Sequence, residues 1–140
     1  MKHDSFDWLA ILVAVLVLLA IAAGMALGDE VASRRLYDAI RLVESGGDDS
    51  AVGDSGMSRG GYQIQTAYWR DGCEAGGVRW DYLRWVHSRP HAEYIMHCYF
   101  NRYGAKTPEE MARCHNSGPN WRKKYHLTNT YWNRVKEMMR

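Results

Sequence analysis

The segment Trp8–Leu27 constrains this chain most, because its twenty residues (WLAILVAVLVLLAIAAGMAL) include no charged side chain. As an α-helix, a segment of this length extends about 30 Å, which matches the hydrocarbon core of a bilayer. A long helix on the surface of a soluble domain normally has a polar face, and this segment has none. The sequence therefore predicts that residues 8–27 cross a membrane.

The residues around this helix predict which kind of membrane segment it is. Residues 1–7 carry one basic residue against two acidic ones, whereas a secretory signal peptide has a basic leader and a shorter apolar core. We favour an uncleaved signal anchor, and the small residues at 22–24 leave cleavage open. Both interpretations place the rest of the chain outside the cytoplasm. We therefore divide the chain into a signal segment, residues 1–28, and a domain, residues 29–140.

The net charge of the domain is small and positive. Residues 29–140 carry 17 basic and 14 acidic side chains, or +3 without histidine. This balance suits an anionic polymer such as a cell wall. The basic residues form one short cluster, at 122–124, and no stripe typical of nucleic-acid binding. We expect no nucleic-acid partner.

The three cysteines are Cys73, Cys98 and Cys114. In an oxidising compartment they predict either one disulfide and one free thiol, or no disulfide. Two of them adjoin His97 and His115, which raises the possibility of zinc. Neighbouring helical side chains point about 100° apart, so each pair is poorly arranged to bind one ion. We expect no metal and no cofactor.

The pattern of apolar residues and turn signals predicts an α+β fold, with a mainly helical domain and one small antiparallel sheet. Apolar residues at helical spacing predict a helix over 31–45, ended by Gly46 and Gly47. Residues 48–61 are a loop, and 61–65 are a short strand with Tyr62 and Ile64 on one face. Further helices are expected at 66–72, 80–87, 90–103, from a capping box at Thr107-Pro108-Glu109-Glu110 to Gly118, and at 129–138.

Two carboxyl groups near the end of the first predicted helix have contrasting surroundings. Glu44 lies in the last turn, where the negative end of the helix dipole favours the protonated carboxyl that a general acid needs. Asp54 follows ten residues later in a loop rich in Asp, Ser and Gly, where hydroxyls and amides favour the ionised form. Glycoside hydrolysis uses a pair of this kind. Glu44 and Asp54 are therefore candidate acid and nucleophile.

Simpler interpretations of these carboxyl groups stay open. Glu44 fits a solvated residue before a helix stop, and Asp54 fits a loop-capping residue. Asp48 or Asp49, in the same loop, are alternatives for the second catalytic role. The loop lacks the alternating spacing and terminal glutamate of a calcium loop, so we do not predict calcium.

Three motifs occur in order along the domain: Glu44-Ser45-Gly46, the stretch GMSRGGYQIQTAYW, and HNSGPNW followed by TNTYWNRVK. Together they resemble the invertebrate-type lysozymes, also called the destabilase family. The resemblance covers residues 36–136. In a gap-free match, the family's catalytic aspartate falls on Gly53, one residue before Asp54. The family is disulfide-dense, and this chain has only three cysteines.

The resemblance implies a lysozyme-like fold and cleavage of the β-1,4 bond between N-acetylmuramic acid and N-acetylglucosamine. Glu44 matches the family's acid. A second, isopeptidase activity credited to some members would use Ser58 and His115. The matched motifs also contain the residues expected to bind sugar: Tyr62, Gln63, Ile64, His115, Asn116, Ser117 and Gly118.

The leading prediction from the sequence is thus a monomeric, membrane-anchored or secreted muramidase that acts on peptidoglycan. A lytic transglycosylase, which needs Glu44 alone, is the nearest alternative. An inactive, membrane-anchored glycan-binding or inhibitor-docking domain is the alternative from a different class of protein.

Overall fold

The computed structural model describes residues 8–140, and of residues 9, 10 and 26–29 it describes only the backbone. The predicted leader at residues 1–7 lies outside this range. The chain divides after Ser33 into two compact units, and each is described by itself. The boundary predicted between residues 28 and 29 separates a signal segment from a domain, and it stays a prediction.

Helix α1 (Trp8–Ser45) begins in the first unit and ends in the second. Among the described residues it is the one helix that is long and apolar enough to cross a membrane, with a mean hydropathy of 2.8 in its apolar window. That window is not buried within the structure. The protein therefore has an N-terminal apolar helix with the length and composition of a signal sequence or membrane anchor.

The second unit confirms the predicted fold class: it is mainly helical with one small antiparallel sheet. The sheet has the order β1-β2-β3 and begins soon after α1 ends. Five helices follow the sheet. The elements are β1 (Val52–Gly53), β2 (Ser58–Arg59), β3 (Ile64–Gln65), α2 (Thr66–Gly76), α3 (Tyr82–Trp85), α4 (Arg89–Arg102), α5 (Pro108–Ser117) and α6 (Asn129–Met138), with 3-10 turns at Asp54–Gly56 and Tyr125–Thr128.

Local signals fix several of these boundaries. Gly46 and Gly47 follow α1 with φ of 67° and 90°, a conformation that ends a helix at little cost for glycine. The predicted capping box of α5 is confirmed, because Thr107 Oγ1 accepts from the Glu110 backbone N–H and the Glu110 carboxylate accepts from that of Thr107. The predicted strand 61–65 is shorter than expected because Gln63 has a φ of 49°, outside the range of extended backbone.

The sheet is a tight meander that holds the loop after α1 close to the start of α2. Strand β2 pairs with both neighbours, Gly53 lying opposite Ser58 and Ser58 opposite Gln65. Each strand has only two residues. The sheet therefore positions loop residues and contributes little to the core apart from Ile64.

The core lies around α4, which packs against α2 and α5, while α5 packs against α6. Its largest fully buried side chains include Leu36, Ile40, Ile95, Met96 and Phe100. All three cysteines are free and buried, which corresponds to the second of the two arrangements left open by the sequence.

Two predicted helices differ in length from those observed. Helix α2 extends to Gly76 instead of ending at 72, and α3 covers Tyr82–Trp85 instead of 80–87. Helix α3 begins late because the Asp81 carboxylate caps it by accepting from the Arg84 backbone N–H at 2.8 Å. Along α6, Tyr131 and Val135 are buried and Met139 packs against the core, whereas Met138 is exposed.

Candidate functional site

A cavity of about 580 Å³ opens where the end of α1, the sheet, α2 and the end of α5 meet. Its size lies within the usual range of small-molecule sites. The lining combines three carboxylates with amides, hydroxyls and aromatic rings. It consists of Glu44, Asp54, Ser58, Gln63, Gln65, Ala67, Tyr68, Asp71, Tyr99, His115, Asn116, Ser117, Gly118 and Pro119.

Glu44 reaches this cavity from the last turn of α1, and its side chain is 21% exposed. The hydroxyl of Tyr131, on α6, donates a hydrogen bond to Glu44 Oε1 at 2.7 Å. His115 Nε2, on α5, lies 3.6 Å from the same oxygen. The carboxyl group is thus held from two helices that lie far from it in sequence.

His115 is a neutral donor in this arrangement. Its side chain is 4% exposed, and burial lowers its pKa more than the nearby Glu44 carboxylate raises it. Nε2 lies 3.0 Å from the Tyr62 carbonyl oxygen, which can only accept, so Nε2 carries the proton. Nδ1 then accepts from the Tyr68 hydroxyl at 3.3 Å.

Asp54 enters the cavity from the 3-10 turn between β1 and β2, and its side chain is exposed. Its Oδ2 accepts a hydrogen bond from the Ser58 hydroxyl at 2.6 Å. Asp54 and Ser55 both have left-handed backbone, with φ of 49° and 56°, an uncommon conformation for residues with a side chain. The surroundings of Asp54 are therefore polar and exposed, whereas Glu44 is half-buried.

A side chain next to Asp54, at residue 53, would require the end of the Gln63 side chain to shift. A Cβ on Gly53 would lie 2.1 Å from Gln63 Oε1, well inside van der Waals contact. A carboxylate at residue 53, where the gap-free match places it, would displace Gln63. Asp54 is the residue of this turn whose carboxylate reaches the cavity.

The two other aspartates of the loop are engaged elsewhere. Asp49 forms an ion pair with Arg41, with Nε 2.7 Å from Oδ1. Asp48 Oδ1 accepts from the backbone N–H and the hydroxyl of Ser50. Neither lines the cavity, so their contacts point to roles in shaping the loop.

The residues predicted to bind sugar separate into two groups. Gln63, His115, Asn116, Ser117 and Gly118 line the cavity. The side chains of Tyr62 and Ile64 are directed into the core and are each 1% exposed. Their predicted sugar contact is corrected accordingly: both side chains belong to the core cluster, and the Tyr62 hydroxyl donates to Glu93 Oε1 instead.

Ser58 and His115 do not pair in this structure, although both line the cavity. The Ser58 hydroxyl donates to Asp54, and the ring nitrogens of His115 face Tyr62 and Tyr68. A serine nucleophile needs a base within hydrogen-bond reach. The predicted Ser58–His115 pair is corrected to two separate groups, each of which contacts a different cavity carboxylate.

Several lining residues were not among the predicted site residues. Tyr68 and Asp71 lie three residues apart on one face of α2, a spacing from which their shared direction can be predicted. The ring of Tyr99, on α4, stacks on that of Tyr68 with centroids 3.6 Å apart. Asp71 Oδ2 accepts from the Tyr103 hydroxyl at 2.7 Å. This wall extends the cavity beyond the predicted residues.

The cavity lining has the chemistry of a site for a polar ligand. No lysine or arginine is among its lining residues, and no group of three or more His, Cys, Asp or Glu within the described part of the chain is arranged for a metal ion. What the lining offers is carboxylates, amides and hydroxyls beside stacked aromatic rings. Such a surface can bind a neutral polyhydroxy ligand and supply acid and base groups to it.

Among the solved structures, a match covers most of this chain. No protein-family model matches the sequence, and no curated protein matches it. A chain in the crystal structure of Aeromonas hydrophila PliI in complex with Meretrix lusoria lysozyme matches with a TM-score of 0.64 and 32% identity. The match covers 76% of this chain and 90% of that chain.

This likeness extends over most of both chains, and at 32% identity it reflects common ancestry as well as a shared fold. The protein therefore belongs to the same family as the matched chain, which is part of a complex between a lysozyme and PliI. The matched chain thus takes part in a protein–protein interaction.

Proposed function

We propose that this protein is a muramidase of the invertebrate-type lysozyme family, which hydrolyses the β-1,4 bond between N-acetylmuramic acid and N-acetylglucosamine. One observation carries the proposal: Glu44 and Asp54 line a single cavity in contrasting surroundings. A half-buried carboxyl beside an exposed one is the arrangement in which one group holds a proton while the other stays ionised. Peptidoglycan is the proposed substrate and partner.

Each carboxyl group then has a definite task. Glu44 donates its proton to the glycosidic oxygen as the bond to the leaving sugar breaks. Asp54 attacks the anomeric carbon or stabilises its positive charge, with Ser58 holding Oδ2 in place. Water completes the hydrolysis, and Glu44 takes a proton from that water, which restores the starting state.

The structural match supports this proposal if this chain corresponds to the lysozyme of the matched complex. We favour that correspondence over one with PliI because the cavity combines Glu44, Asp54, Gln63 and the 115–118 segment. These residues belong to the sequence motifs that resemble invertebrate-type lysozymes.

The decisive experiment is a digest of purified peptidoglycan by the full chain in detergent, with the products separated and weighed by mass spectrometry. Glu44→Gln should lower the rate by about 100-fold or more, because general acid catalysis contributes about 10²- to 10⁴-fold. Glu137→Gln is the matched control, since Glu137 is exposed on α6 and away from the cavity. Equal rates in the wild type and Glu44→Gln would refute the proposal.

The products also separate hydrolysis from lytic transglycosylation. A transglycosylase uses the sugar's own 6-hydroxyl and leaves anhydromuramic ends, whereas a hydrolase leaves reducing ends. Asp54→Asn should lower the rate strongly in a hydrolase and little in a transglycosylase. The hydrogen bond from Ser58 to the Asp54 carboxylate supports hydrolysis, because a hydrolase uses this second carboxylate.

A second candidate function is a protein-binding module without turnover. The observation that favours it is the match to a chain of a protein–protein complex. It predicts that the full chain binds PliI while wild type and Glu44→Gln are equally unable to release soluble fragments from peptidoglycan. Turnover by the wild type that Glu44→Gln abolishes would exclude it.

We further propose that α1 retains the protein at the membrane as a signal anchor, with the cavity outside the cytoplasm. The support is an apolar helix segment that is not buried within the structure. Alkaline carbonate extraction of membranes should leave the protein in the pellet. Recovery of a shortened chain in the soluble fraction would show a cleaved signal peptide instead.

A further inference from the structure

The two oxygens of the Glu44 carboxyl group have different surroundings. Oε1 accepts from the Tyr131 hydroxyl at 2.7 Å and faces the protonated Nε2 of His115 at 3.6 Å. Within residues 8–140, Oε2 has no hydrogen-bond partner in the protein. Every buried side-chain oxygen or nitrogen in that range has a partner, so Oε2 is not buried. Oε2 is therefore the oxygen open to the cavity.

This asymmetry decides where a catalytic proton can reside. The Tyr131 hydroxyl donates to Oε1, and the single Nε2 proton of His115 is donated to the Tyr62 carbonyl. A proton on Oε1 would therefore have to displace the hydrogen bond from Tyr131. The acidic proton of Glu44 therefore belongs on Oε2, where it faces a ligand in the cavity. Tyr131 keeps its proton throughout, because burial, together with the neighbouring Glu44 carboxylate, raises its pKa well above 10.0.

Tyr131 itself is not part of the cavity wall. Its ring is buried in the core on α6, it is absent from the cavity lining, and it is 87 residues from Glu44 in the chain. Its contact with the site is the hydrogen bond to Oε1. A change confined to the Tyr131 hydroxyl should thus act on Glu44 and leave the ligand-binding surface intact.

Resting on the proposed function, we infer that Tyr131 is a positioning residue, which holds Glu44 Oε1 so that Oε2 presents the proton to the glycosidic oxygen. His115 is the second group facing Oε1, and Arg134, also on α6, donates to the Val43 carbonyl beside it at 3.3 Å. Both remain when the Tyr131 hydroxyl is removed. The effect of its removal can therefore be assigned to the one lost donor.

Tyr131→Phe should reduce kcat about 10- to 100-fold, because the carboxyl group loses the donor that fixes its plane. The KM should stay within about twofold, since Tyr131 does not contact the cavity. A hydrogen bond donated to a carboxylate stabilises its ionised form, so its loss should move the alkaline limb of the kcat/KM profile to higher pH.

The matched control is Tyr125→Phe. Tyr125 also donates to a glutamate, with Oη 2.8 Å from Glu109 Oε1, but on an exposed surface outside the cavity. It should leave kcat and the pH profile unchanged. An unchanged kcat in Tyr131→Phe, or a lower kcat without the shift of the alkaline limb, would overturn the positioning role.

A second measurement separates this inference from the proposed function. In full chain labelled with ¹³C-glutamate, the Glu44 carboxyl signal, assigned with Glu44→Gln, should titrate at higher pH in Tyr131→Phe than in the wild type. An upward shift without any peptidoglycan turnover would refute the function and leave the positioning contact supported. An unchanged titration would refute the positioning contact whatever the activity.

Replacement of Tyr131 by 3-fluorotyrosine keeps the ring and tests the same contact if the phenylalanine variant does not fold. The fluorinated phenol is a stronger donor, so the alkaline limb and the titration of Glu44 should move to lower pH. No movement would overturn the inference.

Discussion

Ser58→Ala tests whether Asp54 takes part in catalysis, because it removes the protein donor to the Asp54 carboxylate without changing the carboxylate itself. Ser58 is 2% exposed, and its hydroxyl lies 2.6 Å from Asp54 Oδ2. The turn that carries Asp54 has left-handed backbone at two successive residues. The Ser58 hydroxyl therefore holds the Asp54 carboxylate in place on a turn with an uncommon backbone conformation.

The size of the effect follows from the kind of bond. A hydrogen bond to a charged group contributes about 1.5–3 kcal/mol. Asp54 is exposed, so water replaces part of that interaction, and we expect a loss of about 1–1.5 kcal/mol, or roughly 5- to 10-fold in kcat. Ser50→Ala is the control: it removes a similar 2.6 Å bond to Asp48, outside the cavity, and should leave kcat unchanged.

The assay is the initial rate of reducing-end release from soluble peptidoglycan fragments by the full chain in detergent. The reasoning is refuted if Ser58→Ala folds and retains kcat within twofold, or if Ser50→Ala loses as much. An isopeptide substrate adds a further distinction. If Ser58 were a nucleophile, Ser58→Ala would abolish cleavage of that substrate entirely while only weakening glycan hydrolysis.

Three further predictions concern the stability of the second unit. Each can be tested by urea or thermal unfolding of the full chain, followed by a signal from the second unit. Arg113→Leu should lower the free energy of unfolding by about 3 kcal/mol, because Arg113 is buried and its loss removes the charged partner of Glu109 and the donor to Asn129 Oδ1. A loss below about 1 kcal/mol would contradict this. Burial lowers the pKa of His115 from 6.5, so as pH falls the unfolded chain binds a proton at this residue before the folded chain does. The wild type should therefore lose stability below pH 6.5, and His115→Gln should lack this part of the pH dependence. Identical pH dependence in the two proteins would argue against a buried neutral ring. Thr107→Ala should lower stability by about 1 kcal/mol through loss of the capping box, and an unchanged melting temperature would contradict it.

The helical framework was largely predictable because its signals are local. The capping box at Thr107, the glycine stop at Gly46 and the apolar spacing of α6 each depend on residues within a few positions of one another. The boundaries that differed have equally local causes. The left-handed backbone at Gln63 and the cap at Asp81 shortened a strand and a helix in ways that residue type does not dictate.

The candidate site was predictable only in part. The position of Glu44 at a helix end and the motif at 115–118 were visible in the sequence, and both reach the cavity. The choice among three loop aspartates was not, since it depends on which carboxylates find partners outside the cavity, as Asp48 does with Ser50. Arg41 binds Asp49, and this leaves Asp54 to face the cavity.

The sequence by itself determined that this protein has an apolar N-terminal helix, a mainly helical domain with a small sheet, and a glutamate at a helix end. These features follow from periodicity, composition and capping over short stretches of the chain. The tertiary structure alone decided which groups surround that glutamate. Tyr131 and His115 meet Glu44 Oε1 from α6 and α5. Such contacts depend on how whole helices pack, and side chains that are 71 to 87 residues from Glu44 leave no local pattern from which their meeting can be read.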